Sequence, residues 1–337
     1  MTNMRIAING FGRIGKLVFR SFLERKIPKV DLVAINELGD IASSHHLLKY
    51  DSVHGKIQTE IQQVRNGLKY NNKFTSFFSE KNPNDLPWKK LKIDIVLECS
   101  GVFTSKEKSI AHLQAGAKKV IISAPAKNVD ATIVQGVNEN ILRKNHNIIS
   151  NGSCTTNCLA PVAMVLDKKV GIVSGFMTTI HSYTGDQRTV DQVHSDLRRA
   201  RAAAESMIPT STGAAKAISL VLPKLKNKLD GTAIRVPTPN VSLIDLTFIS
   251  RKKTSAKEIN NFILKESRTK KLKNILTTNN LPLVSIDFNH NSSSSIFDLT
   301  QTQVVNNNFC RIVSWYDNEW GFSNRMIDTM LSLKKFL

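Results

Sequence analysis

Met4-Arg5-Ile6-Ala7-Ile8-Asn9-Gly10-Phe11-Gly12-Arg13-Ile14-Gly15 is the stretch that decides the fold. Its first six residues read as an apolar-rich strand, and the run from Lys16 to Glu24 reads as a helix. A lone G-x-G-x-x-G is a weak signal. With a strand before it and a helix after it, it becomes a dinucleotide fingerprint. The glycines permit a tight turn and let the backbone approach a pyrophosphate, whose charge then rests on the helix N-terminus. Gly10, Gly12, Arg13 and Ile14 are the candidate cofactor residues of that turn. The fingerprint also asks for an acid after the next strand. Val30 to Asn36 is that strand, and Glu37 ends it, where a carboxylate takes ribose hydroxyls and repels a 2′-phosphate. The expected cofactor is NAD rather than NADP.

Working outward, Ile93 to Cys99 and Val120 to Ser123 read as further buried strands, with a helix from about Ser105 to Gln114 between them. Ser100, Gly101 and Ser123 fall at carboxyl ends of strands, where an open α/β sheet binds its ligand. Lys69 to Phe78 alternates as small antiparallel strands. The alternation up to Ser150 predicts a doubly wound parallel sheet of Rossmann type. Beyond it, Phe176 to His181, Ile234 to Val236, Val241 to Ser250 and Val284 to Phe288 read as strands without regular helical crossovers. They predict a second, mostly antiparallel sheet with covering helices, one of them opened by the capping box Ser255…Glu258. The fold class is thus α/β plus α+β.

The 337 residues allow about two domains and ample core. No apolar run reaches the roughly 20 residues that a membrane span needs. Met1 to Asn9 runs straight into a strand with no room for a signal peptide, so the expected compartment is the cytoplasm. The net charge of +20 raises nucleic acid as a partner. Its basic residues are spread along the chain, with no zinc-finger spacing and no aromatic ribonucleoprotein motif, which argues against nucleic acid as the main role. Four cysteines (Cys99, Cys154, Cys158, Cys310) do not make a disulfide framework in a chain this long. Cys154 and Cys158 lie four apart on a helix, but no further metal ligands stand at a suitable spacing, so no metal is expected.

The second decisive stretch is Ile148-Ile149-Ser150-Asn151-Gly152-Ser153-Cys154-Thr155-Thr156-Asn157-Cys158-Leu159-Ala160-Pro161. It reads as a short strand, a turn of small polar residues, and a helix to about Val170, with Cys154 at the helix start. Four free N–H groups and the positive end of the helix dipole meet there, so a thiolate is expected to be favoured. An isolated cysteine is more often a small buried hydrophobe. Neighbours Ser, Thr, Thr and Asn shift the balance towards a nucleophile.

This run resembles the active-site segment of phosphorylating glyceraldehyde-3-phosphate dehydrogenases, although many members have Ala where this chain has Gly152. Similar stretches recur from Ile6 to the C-terminus. The resemblance implies an NAD-binding domain from residues 1–153 and 319–337 and a catalytic domain from 154–318, the helix from Trp320 to Phe336 returning to the first. It pairs Cys154 with His181, in Thr178-Thr179-Ile180-His181-Ser182-Tyr183-Thr184-Gly185-Asp186, as a thiolate–imidazolium couple. It assigns the substrate phosphate to Thr184 and Arg235, and the attacking inorganic phosphate to Ser153, Thr155, Arg199, Thr212 and Gly213. Asn318 matches the asparagine that contacts the nicotinamide carboxamide. The implied substrates are a triose phosphate and inorganic phosphate, with a homotetramer as the implied assembly. Two departures bear on the coenzyme: Glu37 stands where the family usually has Asp, and Gln192-Val193 where many NAD-specific members have Leu-Pro. The rival is erythrose-4-phosphate dehydrogenase, whose lineage lacks the Thr-Gly-Ala-Ala-Lys pattern complete here at Thr212 to Lys216.

Overall fold

The computed structural model describes residues 3–337; the part of the N-terminal expectation that falls on Met1 and Thr2 lies outside them. The chain divides into two compact units, one of residues 1–133, 139–152 and 323–337, the other of 134–138 and 153–322.

The first unit holds β1 (Met4–Asn9), β2 (Val30–Asn36), β3 (Gln62–Val64), β4 (Gly67–Tyr70), β5 (Lys73–Phe78), β6 (Ile95–Glu98), β7 (Lys119–Ile122), β8 (Ala131–Thr132) and β9 (Ile148–Ser150). They form one sheet in the order β3-β4-β5-β2-β1-β6-β7-β9-β8. β2, β1, β6, β7 and β9 run parallel, and all four residues of β6 and of β7 are buried, as a sheet covered on both faces requires. α1 (Arg13–Glu24), α2 (Ile41–Lys49) and α3 (Lys106–Gln114) follow strands as crossover elements. β4 and β5 are joined by Asn71-Asn72, both left-handed (φ 46° and 59°), the two-residue turn whose twist suits a hairpin. β1 is flanked by β2 on one side and β6 on the other, so the strand order reverses at its carboxyl end.

The expected helix from Lys16 begins a turn earlier, at Arg13. Gly12 is extended (φ −71°, ψ −153°) and serves as its N-cap. Gly15 then faces the turn that it follows: a Cβ there would lie 2.1 Å from the Gly10 carbonyl oxygen. The chain's C-terminal segment joins this unit, with Ser21 Oγ donating to Asn324 Oδ1 at 3.0 Å and Arg25 pairing with Asp328 at 2.6 Å.

The second unit carries α4 (Cys154–Lys169), β10 (Ile172–Ser182), β11 (Ile208–Ser211), α5 (Ala214–Val221), β12 (Leu229–Val236), β13 (Ser242–Ser250), α6 (Ala256–Ser267), β14 (Leu276–Asn279), β15 (Ser295–Asp298), β16 (Gln303–Val305), β17 (Phe309–Tyr316) and the start of α7 (Trp320–Leu333). Its sheet runs β11-β12-β10-β13-β17-β15-β14, with β16 on β17. Most pairings are antiparallel; β10 with β12 and β14 with β15 are parallel. α4, α5 and α6 pack Leu159, Val162, Leu166, Ile218, Ile259 and Ile263 against Ile244, Leu246 and Ile312 of the sheet.

One expected strand is absent. Val284 to Phe288 is instead a 3-10 turn over Ser285–Phe288, because the Asp287 carboxylate accepts the Val284 N–H at 2.8 Å and closes the chain on itself. Its apolar alternation does not share one face: Val284 and Ile286 are exposed while Phe288 is buried. Among the described residues no helix is long and apolar enough to cross a membrane.

The packing at Gly15 can be tested. Alanine is favoured over glycine within helices by up to about 1 kcal/mol, but a contact of 2.1 Å with a backbone oxygen forces the loop to move. Overpacking of that kind costs about 1–3 kcal/mol. Gly15→Ala should therefore lower the unfolding free energy in urea, and a stabilised variant would show that the turn is not packed this way.

Candidate active site

At the carboxyl ends of β1, β2 and β6 lies a cavity of about 400 Å³ lined by Asn9, Gly10, Gly12, Glu37, Ser100 and Phe103, among others. Each glycine of the fingerprint has a separate cause. Gly10 is left-handed (φ 87°), and a Cβ on it would stand 2.4 Å from the Ser100 backbone. Gly12 has nothing within 4 Å of its would-be Cβ, so the space beside it is open to a ligand's approach. Glu37 turns its carboxylate to the same loop, accepting the Phe11 N–H at 2.6 Å and the Gly39 N–H at 3.2 Å. The glycine cradle, the open helix N-terminus and the acid after β2 together fit a dinucleotide.

Arg13, Ile14, Gly101 and Ser123 are not among the lining residues. The Arg13 guanidinium is drawn to Asp51 at 2.6 Å. Ser123 follows β7, its N–H donating to the Glu98 carbonyl at 2.9 Å. Asn9 and Asn36, which line the cavity, and Glu98, which lies beneath it, are largely buried and are not singled out as site residues by the sequence.

In the second unit Cys154 is the first residue of α4. Ser153 caps that helix, its hydroxyl accepting the Thr156 N–H at 3.0 Å. Cys154 Sγ lies 3.5 Å from His181 Nε2. His181 and Arg235 are direct partners in the parallel register of β10 and β12, which brings the guanidinium to the ring: Arg235 Nη1 is 2.6 Å from His181 Nδ1. The Ser182 carbonyl oxygen is 2.7 Å from the same Nδ1 and accepts from Arg235 Nη1 at 2.9 Å. Arg235 Nε is buried without a hydrogen-bond partner.

Tyr316 closes the group from β17. Its hydroxyl is 2.9 Å from Thr155 Oγ1 and 2.9 Å from Thr179 Oγ1, and its ring meets that of His181 edge-on. Tyr316 is not among the residues singled out from the sequence, because nothing in a strand's sequence says which buried hydroxyl will bridge two others. Asn318 accepts from the hydroxyls of Ser182 and Ser242 at 2.8 and 2.9 Å, which fixes the orientation of its amide.

Electrostatics bear on one expectation. Burial in this structure works against the charged form of each member of the expected thiolate–imidazolium couple. Burial pushes the Cys154 thiol up, against the opposing pull of Arg235, the Thr155 hydroxyl and helix N–H groups. His181 is pushed down to about 3, first by burial and then by the Arg235 charge. Cys158 is a separate case: its sulfur faces Ser295 at 3.5 Å, and burial pushes it up to about 12.

The expected phosphate ligands are spread over neighbouring elements. Arg199 donates to Asp186 at 2.8 Å and to Thr210 Oγ1 at 3.0 Å, Thr210 lying on β11 beside β12. Thr212 accepts the Ala214 N–H at 3.2 Å, and Gly213 is the N-cap of α5, so that helix opens as expected. Thr184 lies in the turn after β10, accepting the Gln187 N–H through its carbonyl at 2.9 Å. Thr155 has its hydroxyl engaged by Tyr316, an occupation that the sequence did not reveal. Among the described residues no group of three or more His, Cys, Asp or Glu side chains could hold a metal ion.

The Arg235–His181 contact predicts a direction. Exchanging Arg235 for Gln removes a cation beside the imidazole, so the titration of His181 should move to higher pH, followed by its ring proton signals in NMR. A titration unmoved by the exchange would leave burial alone as the cause.

Comparison with known proteins adds the family. The model of the glyceraldehyde 3-phosphate dehydrogenase NAD binding domain matches residues 4–106, and that of the C-terminal domain matches residues 153–318. The chain is 54% identical to glyceraldehyde-3-phosphate dehydrogenase of Xanthobacter flavus, with 99% of each chain covered. It is 53% identical to the chromosomal enzyme of Cupriavidus necator over 98% of each, and 52% identical to that of Zymomonas mobilis over 99% of each. On this likeness across its whole length, the chain belongs to the glyceraldehyde-3-phosphate dehydrogenase family.

Proposed function

We propose that the chain converts D-glyceraldehyde 3-phosphate, inorganic phosphate and NAD⁺ into 1,3-bisphosphoglycerate and NADH, through a covalent intermediate on Cys154. The observation that carries this reading is Cys154 Sγ at 3.5 Å from His181 Nε2, on the first turn of a capped helix.

The chemistry follows from the groups present. A guanidinium only donates, so Arg235 beside Nδ1 selects the ring tautomer that carries its proton on Nε2. When the substrate's phosphate draws Arg235 away, Nδ1–H can donate to the Ser182 carbonyl, and Nε2 becomes an acceptor for the thiol proton. The sulfur then adds to the aldehyde carbon as a hemithioacetal. The developing oxyanion is met by N–H groups at the start of α4 and by the proton now on His181. Bound NAD⁺ supplies the hydride acceptor that turns this adduct into a thioester. Orthophosphate, held by Ser153, Thr155, Arg199, Thr212 and Gly213, attacks the thioester carbonyl and releases the sulfur. Thr184 and Arg235 hold the substrate phosphate meanwhile, with forked, charge-assisted contacts from the arginine. Gly10, Gly12, Arg13, Ile14, Glu37, Ser100, Gly101 and Ser123 are assigned to the coenzyme. So is Asn318, to its carboxamide.

The same reading makes the protein a cytoplasmic homotetramer. Val190, Val193, Leu197 and Met207 are 69–89% exposed within one segment, an apolar surface that an oligomer would cover. All four cysteines are free, as suits a reducing compartment. Light scattering should give four times the 37.6 kDa of the chain, and a monomer mass would refute the assembly.

Erythrose-4-phosphate dehydrogenase is not favoured, since the full-length relatives above bear the triose enzyme's name. NADH production should depend strongly on added phosphate with the triose, and equal rates without it would go against the reading. Cys154→Ser should abolish turnover while NAD⁺ binding persists. His181→Asn should slow acylation roughly 10²–10⁴-fold, the range for loss of a general base.

A further inference from the structure

Beneath the coenzyme cleft lies a buried carboxylate that the chemistry above does not use. Glu98 ends β6 and is 1% exposed. It pairs in register with Asn9, the last residue of β1, at the point where the strand order reverses. Four donors meet its two oxygens. Asn9 Nδ2 at 2.5 Å and His112 Nε2 at 2.9 Å reach Oε2; the Ser100 N–H at 2.8 Å and the Ser100 hydroxyl at 2.5 Å reach Oε1. Behind His112, the Trp88 indole N–H donates to Nδ1 at 3.1 Å, so the ring's proton sits on Nε2 and points at Glu98. His112 is therefore a neutral donor, and all four donors to the carboxylate are neutral. On the far side the chain of bonds continues: Asn36 Nδ2 donates to Asn9 Oδ1 at 2.7 Å, and the Glu80 N–H donates to Asn36 Oδ1 at 2.8 Å. One polar chain thus crosses the ends of β6, β1 and β2, and both turns of the cleft hang from it.

Resting on the coenzyme reading of that cleft, we infer that Glu98 is a positioning residue for NAD, with His112 and Trp88 setting its donors. It fixes the Asn9–Gly10 and Ser100–Gly101 turns against each other. A carboxylate suits this post because it accepts on both oxygens. A neutral amide would turn an NH₂ towards either Asn9 and His112 or Ser100.

The experiment is calorimetric titration of NAD⁺ into the full-length protein and its variants. His112→Leu takes one donor from Glu98, and the dissociation constant should rise roughly tenfold, the scale of a lost hydrogen bond to a buried charge. KM for NAD⁺ should rise with it by more than kcat falls. His112→Gln keeps an N–H for Glu98 and should recover most of the affinity. A lower unfolding midpoint with unchanged affinity and KM in the folded variant would make the network merely structural and overturn the inference. If His112→Leu does not fold, Glu98→Gln carries the same expectation and the same refutation. Failure of the parent protein to bind NAD⁺ would overturn the coenzyme reading and the inference with it. Tight parental binding with unmoved variants overturns the inference alone.

Discussion

The Tyr316 hydroxyl, shared between Thr155 on α4 and Thr179 on β10, is the contact on which the catalytic unit depends. A helix that begins with a cysteine and a strand that ends near a histidine do not by themselves bring sulfur to imidazole. Here three elements meet at one oxygen, and Thr179 goes on to donate to the Leu243 carbonyl of β13 at 3.0 Å. Every participant is buried, so losing the bridge would strand hydroxyls at about 1–3 kcal/mol each. That penalty makes the position of α4 over the sheet a narrow minimum. The Cys154–His181 separation inherits its definition from it.

Local chemistry and sheet register then divide the work. The N-terminus of α4 is made by its own residues: Ser153 caps it, and Gly152 is left-handed at φ 65°, turning the chain out of β9 into the helix. The meeting of His181 with Arg235 owes nothing to local sequence, since 54 residues separate them. It follows from a parallel pairing of β10 with β12, which a chain can make only by way of a long crossover. The first unit shows the same division. Gly15 is dictated within its own turn by the Gly10 carbonyl, whereas Gly10 answers to the distant Ser100 backbone and the carboxylate beneath reaches Asn9 across 89 residues.

That division explains what could be read in advance. Met4–Asn9, Val30–Asn36 and the start of α4 were legible because strand, turn and cap signals sit side by side in the chain. Val284 to Phe288 misled because apolar alternation is also compatible with an exposed turn. There the Asp287 side chain, not the pattern, decided the backbone. Cys154 and His181 could be named as a pair only through resemblance, and the expected charged couple took no account of what surrounds it. A helix N-terminus speaks for a thiolate, but the desolvation that opposes it, and the guanidinium that favours the thiolate while opposing an imidazolium, come from elements remote in sequence. Glu98 and His112 were silent for a related reason. A buried acid at a strand end and a histidine on a short helix have no meaning until the sheet brings them within 2.9 Å.

Arg235 shows what this costs the resting protein. Its Nε is buried and unpartnered, and its Nη1 spends its reach on a ring nitrogen and a carbonyl rather than a carboxylate. A half-buried cation so poorly matched is destabilised in the absence of an anion. Burial lowers its affinity for its own proton, with Cys154 and Tyr316 acting against that. On the proposed assignment of Arg235 to the substrate phosphate, an arriving dianion would supply the missing counter-charge and a forked set of acceptors. Drawing the guanidinium off His181 would then satisfy the arginine and restore basicity to the imidazole next to the thiol. Substrate recognition and activation of the nucleophile would be one electrostatic event, and an aldehyde without a phosphate would find a base still held by its neighbour.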